Sequence, residues 1–210
     1  MVLTRFPTLI LPAPDVLAAA RRSGAVRCRV YWFAGQAQNL RRWLMPPSEP
    51  VHPDVRIGHV HLKVSDLDRA VAFYRDVLGF TLTQRFGTQA AFLSAGGYHH
   101  HIGLNTWESG GGTPPPLGHT GLYHAAILYP DRRELARALQ RLITRRVPIT
   151  GASDHGVSEA IYLNDPDGNG LELYVDRPRA EWPRNEQGEL RMNTGPLDVA
   201  GLLATLQEGS

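Results

Sequence analysis

The sequence predicts an α+β fold built from two similar βαβββ units within residues 55–176. The order strand, helix, three strands occurs twice along the chain. Residues of the same type also recur at a fixed offset: His59 and His124 are 124 − 59 = 65 residues apart, and that offset also takes Asp66 to Asp131. A repeat of this kind indicates an internal duplication.

The first unit opens with a predicted strand over Gly58–Val64. Strand side chains alternate between faces. The two faces are Val60, Leu62 and Val64 on one side and His59, His61 and Lys63 on the other. Apolar residues at helical spacing predict a helix over Asp66–Leu78, which Gly79 ends. This helix covers the apolar face and leaves the histidine face free to line a cavity.

The remaining elements follow from short apolar runs separated by turn residues. The first unit continues with strands over Thr81–Phe86, Ala90–Ser94 and Tyr98–Asn105. The second unit has a strand over Tyr123–Leu128, a helix over Arg132–Ile143, and strands over Pro148–Thr150, Ala160–Asn164 and Leu171–Val175. Ser109–Pro116 is predicted as the loop between the units, and Asp165–Gly170 as a turn before the last strand.

Three polar side chains are predicted on faces that the helices do not cover. By alternation His124 lies on the face of its strand that the second helix does not cover, and Glu172 lies opposite the apolar Leu171 and Leu173. A carboxylate buried in an apolar strand requires a cation. If the two units curl toward each other, His59, His124 and Glu172 can meet around one ion. Two imidazoles and one carboxylate on one face of an ion are typical of non-haem Fe(II) oxygenases. A lone histidine on a strand is usually an ordinary core residue, but the repeated histidine positions together with a glutamate inside a strand favour a metal site.

The segment before this module differs from it in composition. Residues 1–54 are rich in Arg, Ala and Pro without a sustained helical or strand period, which predicts a poorly ordered extension or sequence upstream of a true start at Met45.

Cys28 is the only cysteine, so a reducing cytoplasm is expected. The chain lacks an apolar run long enough to span a membrane. It also lacks a basic stripe with interleaved aromatic residues, so no nucleic-acid partner is expected.

Two motifs resemble a known family. The run His59–Leu67, HVHLKVSDL, is similar to the opening of the vicinal oxygen chelate superfamily of glyoxalases, bleomycin-resistance proteins and dioxygenases. The run Asp165–Glu172, DPDGNGLE, is similar to its closing motif. The resemblance covers about residues 55–176. It implies two paired βαβββ units forming one module with a concave metal-binding sheet. It also implies the metal ligands His59, His124 and Glu172.

A third segment resembles one branch of that family. Gly97–Trp107 is similar to the tandem-histidine strand of extradiol ring-cleavage dioxygenases, particularly the catechol 2,3-dioxygenase group. The resemblance implies that His100 is the acid/base residue, with His101 as the rival register. It also implies that Tyr162 forms a hydrogen bond with the substrate oxygen and that His155 makes a further polar contact in the site. The implied reaction uses Fe(II), or alternatively Mn(II), to cleave a catechol-type diol with O2.

Other activities of the same fold remain open. A glyoxalase-type lyase or isomerase generally needs a glutamate in the strand that here carries His99–His101, and no acid lies there. A thiol transferase acting on an antibiotic epoxide fits the three ligands as well. A metal-free small-molecule-binding resistance protein is the third alternative, and the complete ligand set argues against it.

Residues 177–210 resemble the linker that leads to a second module in larger relatives. The segment ends with a short amphipathic stretch over Leu197–Leu206. We therefore expect a homodimer in which a second copy replaces the missing module. The expected partners are otherwise a small aromatic substrate and O2.

Overall fold

The computed structural model describes residues 50–207. The chain divides into two compact units, Met1–Val55 and Arg56–Ser210, and the second unit contains every element named below. Residues 1–49 lie outside the described part of the chain. The extension predicted over residues 1–54 therefore stays a prediction.

The first half of the module forms a four-stranded sheet. Its elements are β1 (Val60–Lys63), α1 (Leu67–Ala72, continued by a π-helical segment Phe73–Val77), β2 (Thr81–Phe86), β3 (Ala90–Ser94) and β4 (Ile102–Asn105). The strand order is β1-β4-β3-β2. β1 runs parallel to β4, and the other pairs are antiparallel.

The second half repeats this arrangement and adds the C-terminal segment. Its elements are β5 (Ala125–Leu128), α2 (Arg132–Thr144), β6 (Ile149–Asp154), β7 (Ser158–Asn164), β8 (Gly170–Asp176), a 3₁₀ turn (Arg179–Glu181), β9 (Gly195–Pro196) and α3 (Val199–Ala204). The strand order is β5-β8-β7-β6-β9, with β5 parallel to β8. The predicted α+β fold with two βαβββ units is confirmed.

The two main helices begin at equivalent capping residues. The Asp66 carboxylate accepts a hydrogen bond from the Arg69 amide at 3.0 Å, and the Asp131 carboxylate accepts one from the Glu134 amide at 2.8 Å. Such caps satisfy backbone donors that a helix start leaves unpaired. The repeat offset that relates Asp66 to Asp131 in the sequence thus reflects the same structural role in each half.

The turn between β7 and β8 joins the two halves through buried polar contacts. The buried Tyr74 hydroxyl of the π-helical segment donates to Asp165 Oδ2 at 3.1 Å. Asp165 Oδ1 accepts from the amides of Asp167 and Asn169 at 2.9 and 2.8 Å. Burial raises the pKa of Tyr74, and the Asp165 charge raises it further. The turn predicted over Asp165–Gly170 therefore also fixes the first helix against the second sheet.

Several predicted strand ends were wrong. β1 and β5 begin at Val60 and Ala125 rather than at Gly58 and Tyr123, so the candidate histidines lie just before these strands. The strand predicted over Tyr98–Asn105 is only Ile102–Asn105. The chain turns at Gly96 and Gly97, where φ is 64° and 78°, before it can pair again.

Other bounds also differ from the prediction. β6 extends to Asp154 instead of ending at Thr150, because it pairs with β7 on one side and β9 on the other. The predicted amphipathic stretch Leu197–Leu206 contains α3, which buries Leu202 in the common core. Within residues 50–207, no helix has the length and apolar character that crossing a bilayer requires.

Candidate active site

Two of the three predicted metal ligands lie side by side. His124 precedes β5, and Glu172 lies on the parallel neighbour β8, where it is paired with Ala126. His124 Nε2 lies 2.8 Å from Glu172 Oε2, with the side chains 30% and 13% exposed. Alternation therefore placed both residues correctly on the same face of the second sheet.

A glycine at the start of β8 makes this approach possible. A Cβ built on Gly170 would collide with the carbonyl oxygen of Tyr123 and would come within 3.2 Å of the His124 Cβ. Any larger residue at position 170 would therefore push the His124 backbone away from β8. The sequence predicts Gly170 only as a turn residue, because this role depends on a contact with a distant strand.

A chain of hydrogen bonds continues from Glu172 toward the C-terminal segment. The Tyr162 hydroxyl donates to Glu172 Oε1 at 3.1 Å and also lies 2.7 Å from His155 Nε2. His155 Nδ1 lies 3.0 Å from the backbone carbonyl of Asn193. The backbone amide of Asn193 in turn donates a hydrogen bond to the backbone carbonyl of His155 at 3.2 Å. The structure thus brings together four of the six predicted site residues.

The hydroxyl proton of Tyr162 has two possible acceptors in this series of hydrogen bonds. A backbone carbonyl can only accept, so the Nδ1–H of His155 donates to Asn193. A neutral His155 then has Nε2 as an acceptor, and the single Tyr162 proton faces both Nε2 and the Glu172 carboxylate. Partial burial, followed by the Glu172 charge, raises the pKa of Tyr162 to about 12. Tyr162 is therefore a protonated donor at neutral pH.

The remaining two predicted residues lie on the first sheet. The rings of His59 and His100 have centroids 4.5 Å apart, and His100 also contacts Phe92 with centroids 5.0 Å apart. His100 Nδ1 lies 2.7 Å from His99 Nδ1. Desolvation lowers the pKa of His100, and the neighbouring histidines, His59 first, lower it further. The neutral imidazole is thus favoured, and it can accept a proton.

The two candidate registers of the tandem histidines have different surroundings. His101 Nδ1 lies 3.1 Å from Ser94 Oγ and 3.3 Å from the Ala95 amide. The His101 backbone is also bonded to Leu93 and Val60 at the edge of the strands. His101 is therefore held by local structure, whereas His100 contacts a predicted ligand. This contrast supports the His100 register.

The structure does not group all three predicted ligands. Among residues 50–207, no three His, Cys, Asp or Glu side chains lie close enough together to hold a metal ion. His59 contacts the histidines of the first sheet, while His124 and Glu172 pair on the second. The ligand set therefore stays a prediction, with two of its members adjacent.

The adjacent pair has a spacing that suits one ion. Donors of these types lie about 2.0–2.2 Å from a metal, so two of them at right angles would be about 3 Å apart. The observed 2.8 Å between His124 Nε2 and Glu172 Oε2 agrees with this value. Neutral imidazole and carboxylate are also the donor types of non-haem iron sites. The spacing and chemistry of this pair therefore fit two ligands of one metal ion.

Comparisons with known proteins agree with the fold. Residues 56–173 match the family model of the Glyoxalase/Bleomycin resistance protein/Dioxygenase superfamily. A catechol-2,3-dioxygenase of Bacillus subtilis (strain 168) is 45% identical over 153 residues, which is 73% of this chain and 53% of that protein. The chain thus spans about half the length of this relative.

Two further similarities show the breadth of the family. Glutathione transferase FosA of Serratia marcescens is 31% identical over 57% of this chain and 79% of its own length. The crystal structure of a glyoxalase/dioxygenase from Nostoc punctiforme covers 62% of this chain and 99% of its own, with a TM-score of 0.51 and 20% identity. The last likeness supports the fold alone. Because the family model matches residues 56–173, more than half of the chain, the chain belongs to the Glyoxalase/Bleomycin resistance protein/Dioxygenase superfamily.

Proposed function

We propose that the protein is a metal-dependent extradiol dioxygenase that cleaves the ring of a catechol-type diol with O2. The observation that carries this proposal is the chain of contacts His124–Glu172–Tyr162–His155, which joins two donor residues to two proton-handling residues. Relatives of this chain include a catechol-2,3-dioxygenase at 45% identity. The match covers 53% of that protein.

We assign His124 and Glu172 as two ligands of the ion and His59 as the third. Iron(II) is the proposed ion because these donors suit it, and Mn(II) is the alternative. When bound, such an ion lowers the pKa of a coordinated phenol and holds both reactants together. The other roles belong to side chains of the protein.

Tyr162 is the proposed hydrogen-bond donor to the substrate oxygen. Its hydroxyl is protonated, since its pKa is raised to about 12, and it already lies 3.1 Å from Glu172 Oε1. A fixed donor beside developing negative charge stabilises a transition state. His155 Nε2, at 2.7 Å, holds the hydroxyl in place and can exchange its proton.

His100 is the proposed acid/base residue. Its neutral imidazole lies against His59, one of the proposed ligands, with ring centroids 4.5 Å apart. It can take a proton from the diol and later return it to the cleaved product. No carboxylate lies in the segment His99–His101, where a glyoxalase-type enzyme would need one.

We further propose that the functional form is a cytoplasmic homodimer. Among the described strands, β1 and β5 lie at the edges of their sheets, and the predicted ligands His59 and His124 directly precede them. Large apolar residues beside them are exposed, Ile57 at 95% and Tyr123 at 90%. Covering such residues favours association. A second copy at these edges would bring its His59 to His124 and Glu172.

The test is oxygen consumption by purified protein loaded anaerobically with Fe(II) and then supplied with catechols in air. The proposal predicts one O2 consumed per catechol and a yellow ring-opened product. A protein that holds iron but consumes no O2 across a panel of catechols would contradict it. Metal-free stocks provide the matched blank.

A thiol transferase is the second candidate. The supporting observation is the 31% identity with glutathione transferase FosA, of which this chain covers 79%. The same stocks loaded with Mn(II) are incubated with glutathione and an epoxide. Loss of free thiol without oxygen uptake on catechols would favour this candidate over the dioxygenase.

A further inference from the structure

The turn that carries His155 is covered by the C-terminal segment, whereas the equivalent turn of the first unit is open. Each turn joins the second and third strands of its unit and has a glycine with positive φ, Gly87 at 56° and Gly156 at 74°. Among residues 50–207, a Cβ built on Gly87 would meet nothing within 4 Å beyond its chain neighbours. A Cβ on Gly156 would be 2.9 Å from Pro183 Cγ and 3.2 Å from Asn193 Oδ1.

The covering element is a short hairpin, residues 183–193, which we call the C-terminal hairpin. A bridge between Arg184 and Leu190 joins its two arms. Directly before it, Trp182 Nε1 donates to the Arg177 carbonyl at 2.8 Å, at the end of β8. After it, β9 pairs with β6. Both ends of the C-terminal hairpin are thus attached to the second sheet.

The C-terminal hairpin holds His155 through backbone groups. The Asn193 amide donates to the His155 carbonyl at 3.2 Å, and the Asn193 carbonyl lies 3.0 Å from His155 Nδ1. In a neutral histidine, the hydrogen-bond partner of one ring nitrogen decides which nitrogen carries the proton. A carbonyl can only accept, so this contact favours the proton on Nδ1. Nε2 is then left as an acceptor, 2.7 Å from the Tyr162 hydroxyl.

Removal of the Asn193 carbonyl would free the ring proton of His155 to occupy either nitrogen. A proton on Nε2 would be donated to the Tyr162 oxygen, and the Tyr162 proton would then face only Glu172 Oε1, at 3.1 Å. His155 would no longer accept a proton from Tyr162. Side chains in connecting turns are also ordinarily more mobile than those in strands. The docked hairpin therefore fixes both the place of the His155 ring and the nitrogen that carries its proton.

We propose that Gly156 and the C-terminal hairpin position His155 for proton exchange with Tyr162. Gly156 lets the hairpin dock, and the docked hairpin holds the ring proton on Nδ1. Gly156 and Pro183 are positioning residues, since they act through His155. The effect on the reaction rests on the proposed function, whereas the place of the ring proton is a property of the metal-free chain.

The test locates the ring proton of His155 by long-range proton–nitrogen correlation NMR. It uses the full-length, metal-free protein at a pH where the ring is neutral, and His155→Gln identifies the signals by their absence. We expect the proton on Nδ1 in the wild type. In Gly156→Ala we expect about half of the population or more to carry it on Nε2, because the new Cβ displaces the Pro183 ring and the hairpin with it. A proton on Nε2 in the wild type would overturn the inference.

Gly87→Ala is the matched control, since it strains a positive φ in the equivalent turn without meeting a neighbour. It should keep the wild-type tautomer of His155. Gly156→Ala/Pro183→Ala removes the colliding ring atoms and should restore most of the Nδ1–H form. A folded Gly156→Ala that keeps the proton on Nδ1, or a double variant that restores nothing, would overturn the docking role of Gly156.

Asn193→Pro is the second variant, and it decides the question if Gly156→Ala does not fold. Proline removes the amide that donates to the His155 carbonyl and leaves Gly156 unchanged. We expect the ring proton to shift toward Nε2 in this variant as well. A folded Asn193→Pro with the wild-type tautomer would overturn the role of the C-terminal hairpin.

Oxygen uptake by the iron-loaded variants separates this inference from the proposed function. Gly156→Ala should lower kcat for catechol by about tenfold or more and leave KM within about twofold, since His155 loses its acceptor nitrogen while the rest of the site stays. Gly87→Ala should keep the wild-type kcat. Wild-type kcat in a Gly156→Ala protein whose ring proton has shifted would overturn the inference. No cleavage by the wild type would contradict the dioxygenase, and the NMR result would still decide whether the hairpin positions His155.

Discussion

At the scale of single residues, the position of one proton on Tyr162 links the candidate ligands to the residues that would handle protons. Glu172 and His155 both lie within hydrogen-bonding distance of its hydroxyl. A ligand that takes the lone pairs of Glu172 would release this proton toward His155 or toward substrate. The same side chain can therefore act as a structural donor in the free protein and as a substrate donor in the reaction.

Tyr162→Phe removes the hydroxyl and keeps the ring. We expect kcat for catechol cleavage to fall by roughly 100-fold, because one fixed donor to developing charge is worth about 10²–10³ in rate. The measurement is initial oxygen uptake by the iron-loaded variant. Tyr174 lies on β8 and shares a face with Glu172. Tyr174→Phe is therefore the control and should change kcat by less than about threefold. Similar rates for Tyr162→Phe and the wild type would exclude the assigned role.

His100→Asn and His101→Asn distinguish the two registers. Because His100 lies against His59 and His101 is bonded to Ser94 and Ala95, their losses should differ in kind. We expect His100→Asn to lower kcat by about 10²-fold or more with the melting temperature unchanged. His101→Asn should lower the free energy of unfolding by about 1 kcal/mol and leave kcat nearly intact. The opposite pattern would assign the role to His101.

The strand face on which each site residue lies could be predicted from the sequence, because side chains alternate along a strand. His124 and Glu172 share a face because the parallel pairing of β5 and β8 preserves the alternation of each strand. Asn193 was missed because it holds His155 through backbone groups, which any residue type supplies. Gly170 was missed because its role depends on a close approach between two strands, and that approach is visible only in three dimensions.

At the scale of elements, the Asp165–Gly170 turn acts as a clamp on the first helix. Ser65 Oγ and the Arg69 guanidinium both contact Asp167 Oδ1, at 2.6 and 2.7 Å, and Tyr74 donates to Asp165. The sequence predicted the turn from its Asp, Pro, Asn and Gly content. It did not predict the clamp, because the partners lie about a hundred residues earlier in the chain.

Tyr74→Phe tests the clamp. We expect a loss of about 1–2 kcal/mol in the free energy of unfolding at pH 7, since a buried acceptor loses its donor. The pKa of Tyr74 is raised above its ordinary value of 10.0 in the folded state. Its contribution is therefore complete below pH 10 and is lost as pH rises toward the higher folded-state value.

The decrease in the free energy of unfolding at alkaline pH is the second measurement for this prediction. Urea unfolding between pH 7 and 11 should show stability falling less steeply in Tyr74→Phe than in the wild type. Tyr98→Phe, which also loses only a hydroxyl, serves as the control and should follow the wild-type curve. Equal stability of Tyr74→Phe and wild type at pH 7 would refute the clamp.

At the scale of the whole molecule, His59 contacts the histidines of the first sheet while His124 and Glu172 pair on the second, and the three-ligand set stays a prediction. Alternation predicts which face a residue occupies, but not how two sheets approach each other. Polar contacts between the halves include those of the first helix with the Asp165–Gly170 turn and that of Arg141, whose guanidinium donates to the Leu78 carbonyl at 3.3 Å. Within residues 50–207, β1 and β5 lie at the edges of their sheets with no strand on their outer sides.

Mixing two inactive variants tests whether a second copy completes the site. His59→Ala and Glu172→Gln should each abolish ring cleavage. If His59 of one copy joins His124 and Glu172 of the other, an equal mixture that has exchanged subunits should recover about a quarter of wild-type activity, since half of its dimers carry one intact site. Activity is measured after dilution from mild denaturant. No recovery, despite dimers seen in light scattering, would contradict the shared site.

The most direct test of the metal-dependent account is an anaerobic titration of the protein with Fe(II), followed by calorimetry. We expect one ion bound per chain and a loss of at least 100-fold in affinity in Glu172→Gln, because one of three proposed ligands loses its charge. Glu181→Gln, a change of the same kind outside the candidate site, should bind like the wild type. Absence of stoichiometric binding in the wild type, or undiminished binding in Glu172→Gln, would contradict the account.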